Sequence, residues 1–339
     1  MVVRTLMSHE QFMAQAIDLA KQVDLSRDVN PSVGAIVVST SGKVVGTGVH
    51  RGSGTDHAEV VALSAAGQSA NGSTVYVTLE PCASSGKRPP CVDALISAGV
   101  SRVIYGQRDP NPKMAGGADL LKSAGLAIES SVLSDECESL NPSWTFAHEQ
   151  GRPWVIWKTA TTLDGFIGAT DGTSQWITGE PAREYVQRIR ATVGAIVTGT
   201  GTVLADNPHL TVRSLSAQDQ PLRVVVGNRA IPDDSNVNKF PKPAVKSTAD
   251  ISDVIQQLWA DYGIHRVLIE AGSGLSTSAW RAGLVDEVYW FQAPAIAGDG
   301  IKVLGDIGVK TMSDVRRFSQ MTVNRVGLDL VVHFTTRQD

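Results

Sequence analysis

Apolar residues in the first 130 positions alternate between helical and strand spacing. Phe12, Ala16, Leu19 and Ala20 share one helical face and predict a helix over residues 9–23, with Ser8 and Gln11 at capping-box spacing. Residues 33–38 form a short apolar run that predicts a buried strand, and residues 43–48 read as its hairpin partner after a Ser-Gly turn. Further helices are expected at 57–66 (capped by Asp56), 91–98 and 118–123, and strands at 74–79, 103–106 and 127–132. This is the pattern of an α/β unit. It breaks between Asn141 and Pro153, where Asn-Pro and Gly-Arg-Pro place a domain seam. Beyond the seam, strands are expected at 154–159, 195–199, 222–227, 266–269, 285–293 and 327–335, with helices at 180–191 and from Thr277.

Composition agrees with two domains. The chain has 339 residues, 42% hydrophobic and 19% charged, which is ordinary for globular proteins and long for a single core. No apolar run reaches bilayer length and no signal-peptide core opens the chain, so no membrane partner is expected. Three cysteines make a disulfide framework improbable and fit a reducing cytoplasm. A net charge of −4 argues against a nucleic-acid partner but leaves room for a phosphorylated small molecule.

The strongest chemical signal is His57-Ala58-Glu59 followed by Pro81-Cys82 and Cys91. One histidine and two thiolates can hold a zinc ion and leave its fourth position to water. A glutamate two residues after the histidine is placed to move that water's protons, the arrangement used by zinc deaminases of nucleobases. The second half offers two glycine turns at strand ends, Gly199-Thr200-Gly201-Thr202 and Glu270-Ala271-Gly272-Ser273-Gly274. Each is as compatible with a tight turn as with a phosphate cradle. The polar loop from Asp206 to Arg213 contains groups suited to sugars and phosphates, although the residues alone favour a solvated loop with an Asn-Pro turn. Lys158 and Trp176 are ambiguous between core and site.

Taken together, the chain resembles the bifunctional deaminase/reductases of riboflavin biosynthesis. In the first half the resemblance rests on Asn30-Pro31-Ser32-Val33-Gly34-Ala35, His50, His57-Ala58-Glu59-Val60, Pro81-Cys82 through Cys91, and Asp109-Pro110-Asn111-Pro112. In the second it rests on Leu163-Asp164-Gly165, Ser174-x-Trp176-Ile177-Thr178-Gly179, Arg190-Ala191, Gly199-x-Gly201-Thr202-Val203 and the Asp206–Arg213 loop. The resemblance implies an α/β protein of two domains. Residues 1–146 would be a cytidine-deaminase-like α/β/α sandwich acting as a zinc-dependent pyrimidine deaminase. Residues 152–339 would be a dihydrofolate-reductase-like α/β domain acting as an NADPH-dependent reductase. The substrate implied is a phosphoribosyl diaminopyrimidinone, deaminated hydrolytically before its ribose is reduced to a ribityl chain.

Carried over residue by residue, the resemblance makes Glu59 catalytic and His57, Cys82 and Cys91 zinc ligands. Asn30, His50 and Lys87 would hold the deaminase substrate; Ser174, Arg190, Leu210, Arg213 and Glu270 would hold the reductase substrate. NADPH would meet Ala160, Trp176, Thr202, Asp206 and the turn Gly272, Ser273, Gly274, Leu275, Ser276, Thr277 and Ser278. Outside the resemblance, Arg229, just past the expected strand at 222–227, is a local candidate for its 2′-phosphate. Two positions depart from the family: Ser84 stands where histidine is usual, and Ala271 where glycine is preferred. An ordinary backbone conformation is expected at Ala271. Ser84 motivates one alternative, a reductase with a zinc-bound but inactive first domain. A nucleic-acid or nucleoside deaminase with an appended domain is the other. A homo-oligomer is expected, formed through a sheet edge or helix face of the second domain.

Overall fold

The computed structural model describes residues 7–85, 88–239 and 243–336. The chain divides into two compact units, Met1–Gln150 and Gly151–Asp339.

Unit 1 runs α1 (His9–Ala20), β1 (Gly34–Val38), β2 (Val44–Val49), α2 (Ala58–Ala66), β3 (Thr74–Leu79), α3 (Cys91–Ser97), β4 (Arg102–Gln107), α4 (Gly117–Ser123), β5 (Ala127–Glu129), α5 (Ser134–Glu138) and α6 (Pro142–Gln150). The predicted capping box closes α1, with Ser8 Oγ accepting from Gln11 N and Gln11 Oε1 from Ser8 N. The sheet order is β2-β1-β3-β4-β5, antiparallel at β2/β1/β3 and parallel at β3/β4/β5. Strand alternation divides the core: Ala35, Val37, Val75 and Val77 pack with α2 and α3 residues, while Ile36, Val38 and Tyr76 pack with Phe12, Met13 and Ile17 of α1. Two glycines of β2 let α2 lie directly on the sheet. A Cβ at Gly46 or Gly48 would come within 2.2 Å of Ala62 O or 2.1 Å of Ala58 O, so this approach requires glycine.

Unit 2 runs β6 (Trp154–Thr161), β7 (Phe166–Gly168), α7 (Glu180–Arg190), β8 (Ala195–Gly199), α8 (Thr200–Asp206), β9 (Leu222–Val226), β10 (Val245–Ser247), α9 (Ile251–Tyr262), β11 (Arg266–Ile269), α10 (Ser273–Arg281), β12 (Glu287–Gln292), β13 (Ile301–Lys302), β14 (Met321–Val326) and β15 (Asp329–Thr335). Its main sheet has the order β10-β9-β8-β11-β6-β12-β15-β14, parallel from β10 through β12 and antiparallel at β12/β15/β14. One face packs against α9 and α10, the other against α7 and α8. β13 and β7 form a separate two-stranded ribbon.

The pattern misplaced several boundaries for identifiable reasons. His57 itself is the N-cap of α2, in extended conformation and without a side-chain cap bond, so Asp56 is not the cap. The expected strand at 327–335 is the second arm of a hairpin: β14 precedes it, turning through Gly327 at φ 65°. β14 was missed because every residue from Met321 to Arg325 is exposed and no buried face marks it. The Asn-Pro taken as a breaker opens α6, which has proline in its first turn, where the missing N–H costs nothing. α9 was also overlooked, although Ile251, Val254, Ile255 and Leu258 bury one face at helical spacing.

Candidate functional site

Unit 1 gathers its chemistry where β3 ends and two helices begin. Cys82 follows β3, Cys91 is the first residue of α3, and His57 caps α2. The three donor atoms lie within 4.8 Å of one another, with His57 Nδ1 3.1 Å from Cys91 Sγ and 3.6 Å from Cys82 Sγ. Tetrahedral zinc with ordinary bond lengths sets such donors about 3.5–3.8 Å apart, so geometry and donor chemistry both fit that ion. Both sulfurs are buried and all three cysteines are free thiols. The Cys91 thiol donates to Cys82, and with His57 this overcomes burial and pulls Cys82 well below the ordinary thiol range; Cys91 is pushed up in turn. The pair therefore favours a thiolate at Cys82.

Glu59 lies one turn into α2 and is only 4% exposed. Burial pushes its carboxyl up, against the opposing charge of His57, so it can carry a proton nearer neutrality than an exposed glutamate. Glu80, between β3 and Pro81, had no role in the sequence reading. Its carboxylate accepts from Asp109 N at 3.2 Å, Gly116 N at 3.2 Å and Ala118 N at 3.1 Å, tying the loop after β4 to the turn that carries Cys82. The available signal was a lone acid between an apolar strand and Pro-Cys. Asp109, enclosed beside it, is pushed up to about 7 by burial, with Glu80 adding to the effect.

Asn30 and His50 form one wall of this centre. The His50 and His57 rings meet edge to face at 5.3 Å, and His50 Nε2 lies 3.3 Å from Asn30 Nδ2. Lys87 lies outside the described residues. Ser84 is exposed, and Arg88 is engaged within the unit, 3.4 Å from Asp56 and 3.1 Å from Gly54 O.

Unit 2 opens a cleft of about 790 Å³ around the ends of β6 and β11 and the start of α8, the usual ligand position in an open parallel sheet. Its floor is ionic. Arg190 on α7 grips Glu270 through two hydrogen bonds of 2.5 and 3.0 Å, and Lys158 of β6 stands 4.0 Å from the same carboxylate. Burial lowers Lys158, opposed by the charge of Glu270. Ser174 donates to Asp206, and Gln175 Nε2 donates to the Asp206 carbonyl at 3.1 Å, joining opposite walls. Trp176 is 69% exposed, with the Arg183 guanidinium 4.5 Å from its ring centre, which makes it a ring platform and not a core residue. Arg213 pairs with Glu184 at the rim.

Ala160, Thr202 and Gly272 also line the cleft. Leu210 does too, but it has φ 53° and is 2% exposed, so its side chain belongs to the core and it offers mainly backbone. α10 starts at Ser273 and not Thr277, so Ser273, Gly274 and Leu275 form its first turn, with Gly272 as cap. Within it, Ser276 Oγ faces inward to accept from Trp157 Nε1 at 3.0 Å, and Thr277 Oγ1 donates to Ser273 O at 2.6 Å. Ser278 Oγ donates to Gly274 O at 3.1 Å, so contacts from this stretch fall mainly to its backbone N–H groups, which suit a phosphate-bearing cofactor. Ala271 does not have positive φ, so its methyl carries no backbone strain. The Arg229 guanidinium lies against Gly201, where a Cβ would come 2.3 Å from Nη2.

Residues 6–107 match the cytidine and deoxycytidylate deaminase zinc-binding region, and residues 153–332 match the RibD C-terminal domain. The chain is 41% identical to the riboflavin biosynthesis protein RibD of Mycobacterium tuberculosis, covering 99% of this chain and 100% of that protein. Against RibD of Escherichia coli identity is 36%, covering 96% and 99%. A solved structure of Acinetobacter baumannii RibD superposes with a TM-score of 0.86 at 35% identity, covering 97% of this chain and 99% of that one. A diaminohydroxyphosphoribosylaminopyrimidine deaminase/5-amino-6-(5-phosphoribosylamino)uracil reductase from Thermotoga maritima superposes at 0.78 with 31% identity, covering 96% and 98%. Both halves and their order are thus those of one family, and the chain belongs to the RibD family of bifunctional riboflavin-biosynthesis enzymes, with a zinc-dependent deaminase and an NADPH-dependent reductase on one polypeptide.

Proposed function

We propose that residues 1–146 perform the deamination and residues 152–339 the reduction, with the roles carried by the residues gathered above. The observation that carries the first assignment is the convergence of His57, Cys82 and Cys91 donors within 4.8 Å beside the buried Glu59. Zinc held by those three residues supplies a Lewis acid that activates water near neutral pH. Glu59 takes a proton from the attacking water, passes it to a ring nitrogen of the diaminopyrimidinone, and then assists departure of ammonia. Asn30 orients the substrate, and Lys87 meets its phosphate.

In the second half bound NADPH would supply a hydride for reduction of the opened ribose at C1′. Trp176, Ala160, Thr202, Asp206 and the Gly272–Ser278 stretch hold the cofactor, and Arg229 reads its 2′-phosphate. Ser174, Arg190, Leu210, Arg213 and Glu270 hold the substrate. Lys158, desolvated on the cleft floor, is placed to donate the accompanying proton. Most of the rate comes from positioning, because hydride transfer needs no protein nucleophile.

Among the described residues no helix is long and apolar enough to cross a membrane, and the free thiols support a reducing, cytoplasmic setting. The outer strand β14, with Met321 61% and Val323 56% exposed, supports a homo-oligomer. The deciding experiment measures ammonia release and NADPH oxidation separately on zinc-loaded protein. Both are expected. Full zinc occupancy without ammonia release would leave only the reductase reading.

A further inference from the structure

The stretch His209–Arg213 forms part of the reductase cleft wall without belonging to the sheet. His209, Leu210, Thr211 and Arg213 line the cleft, and Val212 does not. Among the described residues, its one backbone–backbone hydrogen bond runs from Leu215 N to Val212 O at 3.3 Å. Backbone groups without strand partners must be satisfied in another way, and here side chains of other elements do it. Arg223 of β9, 3% exposed, donates to His209 O at 3.0 Å. Arg190 of α7 donates to Thr211 O at 3.2 Å, and Gln187 Oε1 accepts from Arg213 N at 2.9 Å.

Gln220 makes the most complete of these contacts. Its Oε1 accepts from Val212 N at 2.7 Å, while Nε2 donates to Val212 O at 2.7 Å and to Leu215 O at 3.0 Å. A carboxamide carries one acceptor and two donors, so it pairs with a peptide unit as a neighbouring strand would. Val212, 1% exposed, is thereby held facing inward, with Thr211 and Arg213 on either side of it lining the cleft. Gln220 and Arg223 do not line the cleft themselves. The other end of the wall, beside Asp206, is tied separately: Asn236 N donates to Asn207 Oδ1 at 2.7 Å and Asn236 Nδ2 to Asn207 O at 2.8 Å.

We propose that Gln220 is a positioning residue of the reductase, whose carboxamide stands in for a missing strand and places Thr211 and Arg213 for the phosphoribosyl pyrimidine. Because Asn236 anchors the Asp206 end, loss of Gln220 loosens the substrate side of the wall and leaves the cofactor side in place. That this end of the loop meets the pyrimidine rests on the reductase reading above; the clamp on Val212 does not.

Gln220→Met keeps the length of the side chain and removes all three hydrogen bonds. Hydrogen exchange on the full chain should show the Val212 and Arg213 amides exchanging about ten-fold faster, with β8 and α7 unchanged. Calorimetry should show Kd for the deaminated phosphoribosyl pyrimidine rising about ten-fold and Kd for NADPH staying within about two-fold. In NADPH oxidation the pyrimidine KM should rise likewise, with kcat within about three-fold. Gln220→Glu keeps the acceptor for Val212 N but sets an oxygen against Val212 O and Leu215 O. It should follow Gln220→Met, and it serves in its place if that variant does not fold. Unchanged exchange at Val212 overturns the clamp. An unchanged Kd for the pyrimidine overturns the positioning role, as does an equal rise in both Kd values, the mark of a general loosening of unit 2. A wild-type protein that binds the pyrimidine without oxidising NADPH removes the reductase reading, and the two Kd values still decide the proposal.

Discussion

At the candidate metal centre three donors and a carboxyl come from the ends of β3, α2 and α3, and all but His57 are buried. The cleft of unit 2 draws its floor from β6, α7 and the turn after β11, and its walls from two loops and α8. The first site concentrates its chemistry in four side chains held by helix and strand ends. The second spreads it over a wide surface of many residues. A concentrated site fails abruptly when one atom is lost; a distributed one fails by degrees.

Cys82→Ser should make the widest separation between the two. Zinc affinity and deamination should both collapse, and the melting of unit 1 should shift downward because metal binding is coupled to folding. Reduction should be unaffected; full zinc occupancy in this variant would remove Cys82 from the ligand set. Glu59→Ala comes next. Deamination is expected to fall by about 10²–10⁴, the range of a lost general acid/base, with zinc retained and reduction intact. A parallel loss of both activities would contradict two independent sites.

Glu270→Gln should act on the second unit alone. It leaves Arg190 and Lys158 facing one another without their shared anion, and such a broken buried pair costs about 3–5 kcal/mol. Denaturant unfolding should show the loss in unit 2, together with a fall in NADPH oxidation. The smallest effect expected is acid sensitivity at Glu287. Burial would raise its carboxyl, but the hydrogen bond from His333, the charge of Arg266 and the Trp154 indole outweigh it and hold it at about 2. A depressed acid contributes stability above its unfolded value and loses it as pH falls. Unit 2 should therefore weaken between about pH 4.5 and 2, by up to about 3 kcal/mol from this group. Glu287→Gln should flatten that part of the stability profile.

How much could be read beforehand follows the same division. The His-x-Glu and Pro-Cys spacing exposed the metal centre because each short motif sits on one element end, and the fold only has to bring three ends together. In the cleft, Lys158 stayed ambiguous: nothing near it in sequence shows that Glu270 will stand 4.0 Å away. Leu210 and Ser276 show the reverse. Resemblance marks them as ligand contacts, yet both side chains are turned inward. Buried elements were legible where they carried a periodic apolar face, as in α1 and β1. Exposed β14 lacked such a face, and α6 was obscured by a proline that starts it.

The floor of the cleft joins two cations to a single anion, so Lys158, Arg190 and Glu270 together leave one residual positive charge in a chain whose net charge is −4. Both ligands of the reductase are polyanions. The molecule as a whole repels them weakly, while this interior point attracts them once they reach the mouth. Ionic strength thus acts on capture in two opposing directions, screening the outer repulsion as well as the inner attraction. The inner charge, being partly shielded from solvent, is screened less, so binding to this half should tolerate salt better than a surface cation patch does.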